Sequence, residues 1–88
     1  MSGQRILVVD DEEQILRALR TSLRGAGYEV ETAATGEEAL AAAAMRPPEA
    51  VILDLVLPDT TGIEVCRELR KWTSAPVIVL SVNDAVVP

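Results

Sequence analysis

Four short segments rich in aliphatic residues recur along the chain. They lie at 5–9, 28–32, 50–53 and 76–80. Three of them contain unbroken aliphatic runs, which are typical of strands buried on both faces of a parallel sheet. The segment at 28–32 instead alternates apolar with acidic residues, a pattern that favours a strand near a sheet edge. The pattern therefore predicts four strands, one of them close to an edge.

Between the first three segments the apolar residues recur at the three- and four-residue spacing of an amphipathic helix. The first helix is predicted to begin at Glu13 and to be stopped by Gly25 and Gly27. The second begins with a capping box at 35–38 and ends before Pro47–Pro48, which cannot continue a helix. Each predicted strand is thus followed by its own helix.

A third helix is predicted after a turn at 58–62. Its apolar positions are Ile63, Val65, Cys66 and Leu69. The element order is therefore βαβαβαβ, which predicts an α/β fold with a parallel sheet and right-handed crossover connections. With 88 residues the chain has room for one small domain, expected to span 1–88.

Composition narrows the classes of function. The formal net charge is −6, and an acidic surface repels nucleic acid, so these residues are not expected to bind DNA by themselves. Cys66 is the single cysteine, and no apolar run approaches the length of a membrane span. The chain also shows no apolar signal core behind Met1. Together these features predict a cytoplasmic protein with no membrane contact.

Candidate chemistry lies where the predicted strands end. In open α/β sheets, ligands bind beyond the carboxyl ends of the strands. The first strand ends in Asp10 and Asp11, the third in Asp54, and the fourth in Ser81. If the first and third strands are neighbours, three carboxylates converge, and a proton or a cation must settle their charge. Histidine is absent, so a hard divalent ion such as Mg²⁺ fits better than zinc.

Acidic residues at strand ends also occur as solvated helix caps, and this alternative stands for Asp10 and Asp11 taken singly. Asp54 argues against it most strongly, because it directly follows the aliphatic run 50–53 and precedes Leu55.

Three motifs in this order resemble the response-regulator receiver domain of two-component systems. They are the segments 6–12, 51–62 and 77–81, and the resemblance spans the whole chain. It implies a flavodoxin-like (CheY-like) doubly wound sheet. It also implies that a sensor histidine kinase donates a phosphoryl group to the domain, which is otherwise not an enzyme.

The resemblance implies a role for each motif residue. Asp54 matches the aspartate that accepts the phosphoryl group. Asp10 and Asp11 match the acidic pair that holds Mg²⁺, with Asp11 the direct ligand and Asp10 acting mainly through water. Val56 matches the position whose backbone carbonyl is a further metal ligand, and Ser81 matches the hydroxyl that senses the phosphoryl group.

A closer resemblance is to transcription regulators of the OmpR/PhoB type, and within them to KdpE-like regulators. This resemblance rests on the segments 67–72 and 76–81, and Trp72 contributes much of it. This implies a DNA-binding effector domain that the chain does not include, so that DNA would be contacted only through it.

The sequence departs from the receiver pattern in two places. Receivers have a fifth strand ending in Lys-Pro and two last helices, which this chain does not contain. Lys71, the only lysine, is predicted at a helix end and cannot replace the missing one. Val82 stands where Ala or Gly is usual. The 88 residues alone are therefore expected to be phosphorylated poorly.

The missing strand would leave 77–80 on an open, apolar edge, so we expect a homodimer or an edge-paired assembly.

Three alternative functions are compatible with an α/β fold of this kind. A haloacid-dehalogenase-type phosphatase would need an Asp-x-Asp nucleophile motif on the first strand, and a mononucleotide binder would need a Ser- and Gly-rich loop there. A receiver-like interaction module that is never phosphorylated stays open.

Overall fold

The computed structural model describes residues 3–80, and they form a four-stranded parallel sheet in the order β2-β1-β3-β4. The strands are β1 (Arg5–Val9), β2 (Glu29–Ala33), β3 (Ala50–Asp54) and β4 (Val77–Leu80). The helices are α1 (Glu13–Gly25), α2 (Gly36–Met45) and α3 (Gly62–Leu69). The predicted βαβαβαβ order and the flavodoxin-like architecture are confirmed, as is the position of the second strand at an edge.

The core lies on one face of the sheet, beneath α2 and α3. Leu7, Val9, Val51 and Leu53 point into it because alternate residues of a strand share a face. Small side chains on α2 allow that helix to approach the sheet closely, since Ala39 and Ala43 are almost fully buried. Val65 and Leu69 of α3 complete the cluster.

Helix α1 packs differently from the other two. It contacts β1 and β2 but contributes no residue to the core cluster. Its apolar positions have helical spacing, as predicted, yet no residue of α1 is buried within the described part of the chain. Leu16, Leu19 and Leu23 are only half-buried.

Hydrogen bonds to threonine side chains begin both α2 and α3. Thr35 accepts a bond from the Glu38 backbone N–H, as the predicted capping box requires, while the Glu38 side chain accepts from Ala34 rather than from Thr35. Thr61 caps α3 in the same way by accepting from the Glu64 N–H. The sequence predicts a turn at 58–62 and does not identify Thr61 as the cap of the helix that follows.

Several predicted boundaries differ by a residue. The second strand begins at Glu29 instead of Tyr28, and the fourth at Val77 instead of Pro76. Gly25 is the last residue of α1, so it does not stop the helix; Gly27 does, because its φ of +99° is accessible mainly to glycine. Ile63, predicted as an apolar position of α3, is 59% exposed.

No helix within residues 3–80 is long and apolar enough to cross a membrane.

Candidate functional site

The register of the sheet brings the acidic residues together. Val9 of β1 pairs with Leu53 of β3, so Asp10 follows one strand at the level where Asp54 ends the other. Asp10 is also tied to β2, because its backbone N–H donates to the Ala33 carbonyl at 3.1 Å. The carboxyl ends of three strands therefore meet at one rim, as the sequence predicts.

Three carboxylates converge at this rim. One oxygen from each of Asp10, Asp11 and Asp54 lies within 4.8 Å of the other two. Their exposure differs: Asp10 is 3% exposed, Asp54 is half-buried and Asp11 is exposed. The cluster thus presents one buried, one intermediate and one solvent-facing carboxylate.

Asp10 is the buried member of the cluster, and its pKa is raised. Burial raises the pKa of its carboxyl above the ordinary 3.8, and the backbone N–H of Glu12, which donates to Asp10 Oδ1 at 2.9 Å, partly opposes this increase. The charges of Asp54 and Asp11 raise the pKa further. A buried carboxylate beside two like charges favours either a proton or a bound cation.

A shallow cavity of about 250 Å³ opens over the cluster. Its lining residues come from the segment between β1 and α1, from α1, and from the end of β3 and the segment after it. They are Asp10, Asp11, Glu12, Ile15, Asp54 and Val56. Glu12 lines the cavity and also occupies the N-cap position of α1, where its side chain makes no capping hydrogen bond.

The segment after Asp54 forms a compact loop at 55–61. Val56 bridges to Thr61, and the Leu57 N–H donates to the Thr60 carbonyl at 3.1 Å. Gly62 closes the loop by donating to the Leu55 carbonyl at 2.7 Å. A Cβ atom at Gly62 would collide with the Asp54 carbonyl oxygen, so glycine is needed for this close approach. The loop is therefore held tightly beneath the cavity.

The predicted site residues fall into three groups. Asp10, Asp11 and Asp54 lie together, and Val56 lines the same cavity with its side chain 72% exposed. The predictions for Ser81 and Val82 lie outside the described residues.

Asp59 of the loop at 55–61 has long-range contacts that the sequence does not predict. Asp59 is 22 and 23 residues from its hydrogen-bond partners in α2, Glu37 and Gly36. A turn aspartate with long-range partners leaves no periodic signal in a sequence.

Comparison with known protein families agrees with the receiver motifs. The response regulator receiver domain family matches residues 6–87. The chain belongs to this family. That membership favours a receiver over the phosphatase and mononucleotide-binding alternatives.

Curated relatives are transcription regulators of the OmpR/PhoB type. The chain is 63% identical over 76 residues to the transcriptional regulatory protein KdpE of Mycobacterium tuberculosis, covering 86% of this chain and 34% of that protein. It is 53% identical over 79 residues to KdpE of Escherichia coli, covering 90% and 35%. The chain thus spans about a third of the length of these relatives, and the predicted resemblance to KdpE-like regulators is confirmed.

Solved receiver structures superpose well on the chain. The response regulator TrrA of Thermotoga maritima in complex with Mg(2+)-BeF is 43% identical with a TM-score of 0.83, covering 89% of this chain and 69% of that one. The chemotaxis response regulator CheY4 of Vibrio cholerae is 36% identical with a TM-score of 0.85, covering 89% and 68%.

Proposed function

We propose that this receiver accepts a phosphoryl group on Asp54 from a sensor histidine kinase, with Mg²⁺ bound beside it. The observation that carries the proposal is the convergence of Asp10, Asp11 and Asp54 around one cavity. Asp54 is the member suited to react, because it ends β3, lines the cavity and is only half-buried. TrrA, a structural relative solved with Mg(2+)-BeF, supports the same reading.

The donor set fits a hard divalent cation. Three carboxylates supply oxygen ligands, and the chain contains no histidine that would favour zinc. Burial first, and then the charges of Asp54 and Asp11, raise the pKa of Asp10, and a bound cation would offset both effects. The resemblance to receiver domains implies that Asp11 is the direct ligand and that Asp10 acts mainly through water. The exposure of Asp11 and the hydrogen bond from the Glu12 N–H to Asp10 Oδ1 are compatible with these roles. The backbone carbonyl of Val56 would complete the protein ligands.

The reaction itself needs few groups. A carboxylate oxygen of Asp54 forms a bond to phosphorus, the bond from phosphorus to the kinase imidazole nitrogen breaks, and that nitrogen takes up a proton. A bound Mg²⁺ supplies charge neutralisation for the phosphoryl oxygens. Asp54 Oδ1 accepts one long, weak hydrogen bond, 3.5 Å, from the Val56 N–H. Beyond this transfer of a phosphoryl group onto its own aspartate, we expect the domain to catalyse no reaction.

Ser81 is proposed as the hydroxyl that bonds the phosphoryl group and signals its arrival. It follows Leu80, the residue that pairs with Asp54 in the β3–β4 ladder. Ser81 itself lies outside the described residues.

For the whole protein we propose a cytoplasmic transcription regulator. The named relatives are transcriptional regulatory proteins, and the chain corresponds to about a third of their length. In this proposal DNA is bound by an effector domain outside these 88 residues. The 88 residues themselves carry a net charge of −6, which is unsuited to binding DNA.

Pairing between copies of the chain stays a prediction. Ile78 and Val79 of β4 are 54% and 47% exposed among the described residues, so they offer apolar surface to a second copy. Light scattering tests this, and a monomer at high concentration would contradict it.

Phosphorylation mapping tests the central proposal. A full-length form of the protein is incubated with acetyl phosphate and Mg²⁺, because the 88 residues alone are expected to react poorly, and the modified peptide is located by mass spectrometry. The label is expected on Asp54 alone and should be lost in Asp54→Asn or when EDTA removes the metal. A label on Asp11 or Asp59, or labelling that ignores EDTA, would contradict the assignment.

A further inference from the structure

Asp59 joins two parts of the molecule that are distant in sequence. Its Oδ1 accepts a hydrogen bond from the Gly36 N–H at 2.8 Å, and its Oδ2 accepts from the Glu37 N–H at 3.0 Å. These N–H groups are the first two of α2, which have no partner within the helix. Both oxygens of one carboxylate thus hold the N-terminus of α2 to the loop at 55–61.

The contact is tight as well as polar. Gly36 is buried against the loop, and a Cβ atom there would collide with Cγ2 of Thr60. The N–H groups of Gly36 and Glu37 also lower the pKa of Asp59 below the ordinary 3.8. The carboxylate therefore stays ionised, and charge-assisted bonds of this kind are among the stronger ones in proteins.

The loop transmits this anchoring to the candidate metal site. Its ends are closed by the Val56–Thr61 bridge and the Gly62 bond to Leu55, and its tip by the Leu57 bond to Thr60. Asp59 lies in the tip, so holding Asp59 restricts the loop as one unit. Val56, three residues earlier, shares that unit and lines the cavity.

We propose that Asp59 is a positioning residue for the receiver site, which clamps the loop at 55–61 to α2 and so fixes the Val56 backbone beside Asp54. The inference rests on the proposed function, because Val56 matters only if its carbonyl is a metal ligand. Groups that orient ligands commonly affect metal affinity without touching the ion.

Helix capping alone would be a simpler role, and the chain offers a matched control for it. Thr35 also caps α2, by accepting from the Glu38 N–H at 3.0 Å, but it does not belong to the loop. Thr35→Ala therefore removes a cap of the same helix and leaves the clamp intact. Asp59→Asn keeps one acceptor oxygen and tests a partial clamp.

The experiment is Mg²⁺ titration of the parent, Asp59→Ala, Asp59→Asn and Thr35→Ala, followed by amide NMR shifts. We expect the dissociation constant to rise about three- to tenfold in Asp59→Ala, less in Asp59→Asn, and to stay within about twofold in Thr35→Ala. Equal weakening in Asp59→Ala and Thr35→Ala, or none in Asp59→Ala, would overturn the proposal.

Hydrogen exchange in the metal-free proteins separates this inference from the proposed function. The Leu57 and Gly62 amides should exchange about tenfold faster in Asp59→Ala than in Thr35→Ala, because their loop is released. Unchanged exchange at these amides would also overturn the clamp. If the parent binds no Mg²⁺, the proposed function fails, whatever the exchange rates show about the loop.

Discussion

Val9 and Leu53 are direct partners in the parallel ladder between β1 and β3, and an aspartate follows each of them. One register thus fixes the separation of Asp10 and Asp54. Because a slip of one residue would turn one of these carboxylates to the other face of the sheet, the site depends on this pairing. The same pairing forces two negative charges close together, at a cost in stability.

Asp10→Asn should relieve that cost. We expect the free energy of unfolding of the metal-free protein at pH 7 to rise by about 0.5–2 kcal/mol, since a buried charge beside Asp54 and Asp11 is removed. The amide oxygen can still accept from the Glu12 N–H. Urea denaturation in EDTA measures the change.

The gain from Asp10→Asn should depend on pH in a defined direction. A raised pKa means that the stability contributed by the protonated acid is complete below the unfolded-state pKa and is lost as pH rises through the folded-state value. The gain should therefore shrink as pH falls toward 4. Glu37→Gln removes the same charge from an exposed position and should not stabilise. A gain that is independent of pH would contradict the explanation.

Asp11 and Glu12 are adjacent acids lining the same cavity, and only Asp11 belongs to the carboxylate cluster. Asp11→Asn should weaken Mg²⁺ binding about tenfold or more, because in the proposed site it removes a direct oxygen ligand. Glu12→Gln should weaken it about twofold or less, because Glu12 lies outside the cluster and only a screened charge is lost. Titration by amide NMR or calorimetry compares them. Equal losses would show that binding reflects net charge alone.

Gly62→Ala should destabilise the protein although alanine favours helix. Its Cβ would press on the Asp54 carbonyl oxygen, which belongs to the backbone and has little room to move. We expect the free energy of unfolding to fall by about 1–3 kcal/mol. Gly25→Ala is the control, because no atom lies within 4 Å of its Cβ, and it should gain about 0.5–1 kcal/mol. Thermal denaturation of Gly62→Ala and Gly25→Ala measures the two effects. Similar melting temperatures for the two variants would contradict the steric explanation.

The hydrogen bonds that α2 donates to Asp59 should weaken only in acid. Its pKa is lowered by the N–H groups of Gly36 and Glu37, so its stabilising contribution is present above the unfolded-state pKa and is lost as pH falls through the folded-state value. The Gly36 and Glu37 amide shifts should therefore titrate together, with a midpoint below 3.8, the ordinary value for aspartate. Asp59→Asn should abolish this titration. A midpoint at or above the ordinary value would contradict the hydrogen-bond assignment.

The sequence predicted those features that depend on neighbours along the chain. Unbroken aliphatic runs marked β1 and β3, and the capping box marked the start of α2. The carboxylate cluster was also predictable, because parallel strands end at the same rim and Asp10 and Asp54 each follow such a run.

Features set by tertiary contact were not predictable. The bonds from Gly36 and Glu37 to Asp59 join residues far apart in sequence and follow no period. The exposure of Ile63 was missed because helical spacing gives the position of an apolar residue on its helix, while burial depends on what packs there.

The uneven burial of the helices gives the two halves of the site different local stability. Asp10 and Asp54 extend from strands whose side chains form the core, and such segments open only with the whole fold. Asp11 leads into α1, which has no buried residue among those described and should open at lower free energy. Fluctuations that fray α1 would withdraw Asp11, the proposed direct ligand, while Asp54, the proposed phosphoacceptor, stays in place. The affinity for a cation and the reactivity of Asp54 would then respond separately to anything that binds α1.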